Sequence, residues 1–114
     1  MQYAILIYET GDDFNSRSND RKDAYWDGWF AYSQALTDAG KSVGGACLKG
    51  PETGTTLNRG TVEDGPYADT REQLGGFFLI EAETLDDAME WAARSPAAST
   101  GAVEIRPVHQ VSRT

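Results

Sequence analysis

Asp64, Tyr67, Arg71 and Glu72 fall within one charged run, bounded by Asp64-Gly65-Pro66 at one end and Gly75-Gly76 at the other. Gly permits positive φ, and Pro fixes φ while removing a backbone donor, so the run is held between two rigid punctuations. Polar side chains fixed in this way can form a site. Asp64 and Glu72 are the candidate catalytic carboxylates, since either can exchange a proton if desolvation raises its pKa. Arg71 can orient an anionic ligand bidentately, and Tyr67 joins it as a binding candidate. Each also has an ordinary structural use. An Asp before Gly-Pro caps turn amides, and Arg71 with Glu72 can be a plain exposed ion pair.

Glu104 and Arg106 form a second candidate pair. Strand alternation sets them together on the face opposite Val103 and Ile105. They become ligand-binding groups if that face lines a confined cavity, and solvated groups if the strand is an edge. Tyr8, Tyr25 and Tyr32 can line a pocket for a small aromatic or apolar molecule, with core or dimer-interface packing as the simpler use. Trp26, Trp29 and Trp91 read as core anchors. Cys47 lies in an apolar strand and reads as a buried, inert thiol. One His, one Cys and scattered carboxylates give no zinc-like spacing, and Gly75-Gly76 leads into a strand, not a phosphate-binding helix. No metal and no cofactor is implied.

The elements that must position these groups follow from periodicity. Tyr3 to Tyr8 is a strand apolar on both faces, hence central in a covered sheet. Gly11 to Asp20 reads as a polar loop. Asp20 to Ala39 is helical, with Trp26, Trp29, Phe30, Ser33 and Leu36 on one face and Gly40 as its stop. Val43 to Leu48 is a second strand, and Thr55 to Glu63 a short hairpin turning at Arg59-Gly60. Phe77 to Ala82 is the next long strand. Thr84 opens a second helix with inner face Leu85, Ala88, Met89 and Ala92, ended at Ser95-Pro96. Ala102 to Val108 closes the chain's regular structure.

The order is β-α-β-(hairpin)-β-α-β within one domain, residues 1–114. It predicts an α+β, ferredoxin-like β-α-β-β-α-β sandwich with an inserted hairpin. Two helices cover one sheet face. The other needs a cover, and a second copy of the sheet supplies it, so a homodimer is expected.

The chain has 114 residues, 18 acidic against 10 basic, and a formal charge of −8. That balance argues against nucleic acid or an anionic membrane surface as partner, because both need a basic footprint. A single cysteine excludes an internal disulfide, and no stretch is apolar enough to span a bilayer. A cytoplasmic location is expected.

The run Asp64 to Phe77 resembles the signature of the DGPF-domain proteins of the YCII-related superfamily, with Tyr67 standing where that signature has Phe. Tyr3 to Glu9 resembles their opening strand, Glu83 to Pro96 their second helix, and Val103 to Val108 their closing strand. The resemblance implies a dimeric α/β barrel. It implies little about activity, beyond an association of many members with sigma-factor genes. Distant relatives are thought to use a His-Asp pair. Here the sole histidine, His109, follows the last strand, so that mechanism does not transfer.

The expected function is binding of a small organic molecule in a sheet-face cleft of a homodimer. Any turnover would be cofactor-free acid/base chemistry of an isomerase or lyase type. The alternative is a non-catalytic regulatory or protein-interaction module. An exposed Tyr25–Tyr32 stripe would favour the module; an enclosed cavity containing Glu104 and Arg106 would favour the small molecule.

Overall fold

Strand β1 (Gln2–Glu9) alternates strictly: Tyr3, Ile5, Ile7 and Glu9 are buried, and the residues between them are half-buried. Three apolar side chains at a spacing of two drive one face onto the helices, and Glu9 carries that face to the strand end. The computed structural model describes residues 1–112.

β1 is indeed central. It pairs antiparallel with β5 (Gln73–Glu81) on one side and β6 (Ala102–Pro107) on the other. β2 (Ser42–Cys47) pairs with the far side of β5, giving the order β2-β5-β1-β6. Helices α2 (Lys22–Asp38) and α3 (Leu85–Ala93) supply Tyr32, Leu36, Ala88 and Ala92 to the core, where they meet Tyr3, Ile5, Ile7 and Ile80. The fold is the expected α+β ferredoxin-like sheet with an extra hairpin. The slab measures 44 × 38 × 18 Å.

The hairpin is β3 (Thr55–Asn58) with β4 (Thr61–Asp64), which among the described residues pair only with each other. It turns at Arg59 (φ 51°) and Gly60 (φ 88°), two consecutive left-handed residues as a tight two-residue hairpin turn requires. Leu57 and Val62 sit opposite one another and are 72% and 69% exposed.

Several expectations need correction. The polar loop from Gly11 contains a helix, α1 (Gly11–Ser16), opened by a reciprocal cap: Thr10 Oγ1 accepts from Asp13 N–H and Asp13 Oδ2 from Thr10 N–H. A six-residue polar helix has no apolar period to reveal it. β5 starts at Gln73, not Phe77, because Gly75-Gly76 lies inside the strand. Its ladder to β1 shifts register between Ile7 and Tyr8, leaving Gly75 as the extra residue of a bulge.

The inner stripe of α2 is Tyr32 and Leu36, with Trp29 packed beside them, whereas Phe30 is 67% exposed and Ser33 faces solvent. Tyr32 wins the inward position because its ring meets Phe78 edge-on at 5.2 Å and its hydroxyl donates to Trp91 O at 2.8 Å. On α3 only the small Ala88 and Ala92 are buried; Leu85 and Met89 are half-exposed. β2 is exposed along its whole length, so Cys47 is exposed rather than buried.

Candidate functional site

The segment from Glu9 to Trp26 folds back on itself to build a cluster. Glu9 ends β1, Thr10 caps α1, and Arg17 follows as the C-cap of that helix. The turn after it delivers Tyr25 at the start of α2, where its amide donates to Arg21 O. Trp26 Nε1 donates to Arg17 O at 3.0 Å, which ties the start of α2 to the end of α1.

Glu9 is 2% exposed and accepts two hydrogen bonds, from Arg17 Nη2 at 2.8 Å and from Tyr25 Oη at 2.5 Å. Arg17 Nε donates to Tyr25 Oη at 3.1 Å, closing a three-membered ring of side chains. Its Nη1 donates to Leu48 O and its Nη2 also to Gly75 O, so the guanidinium clamps the ends of β1, β2 and β5 together. The rings of Phe14, Trp26 and Tyr25 lie 4.7, 5.7 and 5.9 Å from its carbon. The bulge at Gly75 makes room for all of this. A Cβ there would strike Glu9 Oε1 and stand 3.1 Å from Arg17 Nη2.

The electrostatics match a closed donor–acceptor ring. Burial alone would lower the Arg17 pKa, but hydrogen bonds with Glu9 and Tyr25 outweigh it and raise the value further. Burial, followed by the hydrogen bond to Glu9, raises the Tyr25 phenol well above its ordinary 10.0.

This ring of groups is the polar end of a cavity of about 260 Å³ between α2 and the β2–β5 edge. Ile7, Trp26, Trp29 and Phe30 form apolar walls, Gly45, Gly75 and Gly76 a floor, and Cys47 and Ser33 also border it. Two of the floor positions exclude any side chain for a packing reason: a Cβ at Gly76 would lie 2.7 Å from Ala46 O, and one at Gly45 would strike Phe77 O. The arrangement can hold an apolar ring and present a buried carboxylate to its edge.

The residues singled out from sequence lie elsewhere. Asp64 ends β4 on the exposed hairpin, and Tyr67 is 76% exposed in the following turn. That turn is stitched by Gly65 N–H to Gly54 O and Thr56 Oγ1 to Gly65 O, both 2.7 Å. Arg71 borders a separate polar depression with Thr10, Asp12, Asp13, Arg21 and Thr100, and Glu72 is half-buried next to it in sequence. Arg71 and Glu72 do not pair; among the described residues the ion pairs are Glu9–Arg17, Glu104–Arg106 and the N-terminus with Glu81.

Tyr8, Glu104 and Arg106 do share one face, the side of the sheet away from the helices. There Leu6 opposes both Glu104 and Phe77, and Ala4 opposes Arg106 and Leu79. Tyr25 is half-buried and Tyr32 buried, so the tyrosine stripe points inward. Sequence reading missed Glu9 and Arg17. The signal available was Thr10-x-x-Asp13, a cap that starts a helix directly after a strand-ending glutamate. Among the described residues no three His, Cys, Asp or Glu side chains converge as metal ligands, and no helix is long and apolar enough to cross a membrane.

The YCII-related domain pattern matches residues 1–112. The chain belongs to the YCII-related domain family. Within reach of it in sequence is an uncharacterized protein of Rhizobium meliloti (strain 1021), 33% identical over 114 residues, covering 95% of this chain and 92% of that one. In structure, this YCII-related chain is similar to the 5-chloro-2-hydroxyhydroquinone dehydrochlorinase TftG of Burkholderia phenoliruptrix AC1100, solved with 2,5-dihydroxybenzoquinone. That likeness has a TM-score of 0.56 at 20% identity and covers 97% of this chain and 96% of the other; it establishes a shared fold.

Proposed function

We propose that this chain binds a single-ring organic molecule in the cavity between α2 and the β2–β5 edge, and that Glu9 exchanges a proton with it. One observation carries the reading: a carboxylate 2% exposed is set, with its own ion pair and hydrogen bonds, at the end of an apolar aromatic pocket. Buried carboxylates are costly unless paired, and one kept paired at the end of a pocket is placed to meet a proton of a bound ligand. The TftG complex supports the ligand class, because there the same fold holds a small oxygenated ring. No step of such a reaction calls on a cofactor.

The homodimer is part of this proposal. Leu6, Tyr8, Phe77 and Leu79 lie on the uncovered sheet face, and half-burial is all that a lone slab gives these four. In a single copy β6 is an edge strand and Glu104 and Arg106 are solvated, their side chains 40% and 70% exposed, as an edge position implies; a second copy laid on that face would enclose them. The acid/base role of Asp64 and Glu72, with Arg71 orienting substrate, is a separate proposal tied to the hairpin side. Unchanged ligand binding in a stable Asp64→Asn protein would remove it.

Native mass spectrometry of the purified chain, beside its denatured mass, tests the main reading. A dimer carrying a stoichiometric small organic molecule, lost in Trp29→Ala, supports it. A ligand retained in Trp29→Ala and lost in Asp64→Asn contradicts it. The exposed Leu57–Val62 pair favours a second role as an interaction module, with the hairpin as the contacting arm.

A further inference from the structure

Each donor and acceptor at the polar end of the cavity can be accounted for. A guanidinium has five N–H groups. Arg17 commits Nε to Tyr25, one Nη1 proton to Leu48 O, and both Nη2 protons to Glu9 and Gly75 O. One Nη1 proton is left, which cannot make the two parallel bonds by which Arg grips a carboxylate. The Tyr25 proton goes to Glu9 Oε2 and the Trp26 Nε1 proton to Arg17 O. The Ser33 hydroxyl and Trp29 indole that also line the cavity are neutral donors with no charge to offer an anion, and the donors of the Arg17–Tyr25 cluster are nearly spent.

The acceptors are not. An ionised carboxylate offers about four lone-pair sites. Glu9 Oε1 and Oε2 each take one donor among the described side chains, and Tyr25 Oη takes one from Arg17. Charge points the same way. Glu9 and Arg17 cancel, so the cluster offers an anion no net attraction, within a chain of formal charge −8.

We infer that this pocket selects a ring bearing a hydroxyl that donates, a phenol or an enol, and rejects a ring bearing a carboxylate. The inference rests on the pocket reading above and adds the ligand's functional group to it. Its size suits one ring: an enclosed cavity of about 150 Å³ accommodates benzene, and this half-open one is about 260 Å³. One substituted ring fits, its face against Trp26 or Trp29 and its hydroxyl toward Glu9.

The test is an amide NMR titration of the full chain with three probes of similar shape: para-cresol, para-xylene and para-toluate. A hydrogen bond to a charged group predicts para-cresol binding about ten-fold or more tighter than para-xylene, with para-toluate weakest. Glu9→Gln removes the charged acceptor and leaves the Arg17 charge unbalanced, so it should narrow the preference for para-cresol over para-toluate. Tighter binding of para-toluate, or equal binding of para-cresol and para-xylene, would overturn the inference while leaving the pocket standing. If none of the probes shifts the amides of Gly45 to Cys47 or Gly75 to Phe78, the pocket reading itself fails and takes the inference with it.

Discussion

Tyr25 Oη donates to Glu9 Oε2 across 2.5 Å, although the two residues are sixteen apart in sequence. Arg17 stands midway, eight residues from each, and bonds to both. The site is therefore built by one continuous stretch: a strand end, a capped single-turn-scale helix, and the first turn of a long helix. Its geometry depends on local capping as much as on tertiary packing. That makes it sensitive to pH, to charge removal and to a single added methyl group.

Alkaline pH should destabilise the fold through the tyrosines. Burial pushes the Tyr32 phenol up to about 12, and burial with the Glu9 hydrogen bond raises Tyr25 as well, both from 10.0. Above pH 10 the unfolded chain releases these protons while the folded chain retains them, so the folded state binds more protons and stability falls as pH rises. The contribution is complete below pH 10 and is lost progressively toward about 12 for Tyr32. Melting temperatures measured across this range should drop less steeply in Tyr25→Phe and Tyr32→Phe. Equal slopes in all three proteins would contradict the assignment.

Removing Arg17 should cost far more than removing a surface charge. Its side chain is 14% exposed and that of Glu9 3%, so Arg17→Ala strands a buried carboxylate. Loss of one partner of a buried pair costs about 3–5 kcal/mol. Urea unfolding measures it directly, and the double variant Glu9→Gln/Arg17→Met should lose less than the two single losses combined. A loss below about 1 kcal/mol for Arg17→Ala would match an exposed pair instead.

Gly75→Ala probes the bulge. Its methyl group would strike Glu9 Oε1 and crowd Arg17 Nη2, so the ion pair must shift or the strand must move. Overpacking of this kind costs about 1–3 kcal/mol. The same substitution at Gly44, where a Cβ meets nothing within 4 Å, is the control and should be nearly silent.

Ser95 gives the opposite sign. Its hydroxyl is buried and has no hydrogen-bond partner among the described residues. Ser95→Ala should therefore leave the melting temperature unchanged or raise it, because an unpaired buried hydroxyl carries a desolvation cost. A clear fall would show that the hydroxyl is satisfied.

The sheet, both long helices and the Arg59-Gly60 turn were legible in the sequence because each has a strong period or a turn residue of defined conformation. Thr84 likewise caps α3, accepting from Asp87 N–H at 3.2 Å. The site was not legible, for three reasons. Glu9 looks like one more acidic residue at a strand end, and only its burial distinguishes it. Arg17 sits in a polar stretch whose helix has no apolar stripe. Gly75-Gly76 resembles a strand boundary, while its use is to admit a carboxylate and a guanidinium beside a continuous strand. The charged run from Asp64 to Glu72 drew attention by composition, and composition does not report which groups the fold turns inward.

Amide shifts mapped as para-cresol is added to the intact chain would locate its binding site directly. Binding between α2 and the β2–β5 edge should perturb Gly45 to Cys47, Gly75 to Phe78 and the Tyr25–Ser33 part of α2, with Tyr25 and Glu9 among them. Perturbations centred instead on Asp64 to Glu72, or on Leu6, Tyr8 and Glu104 of the uncovered sheet face, would contradict it and move the site.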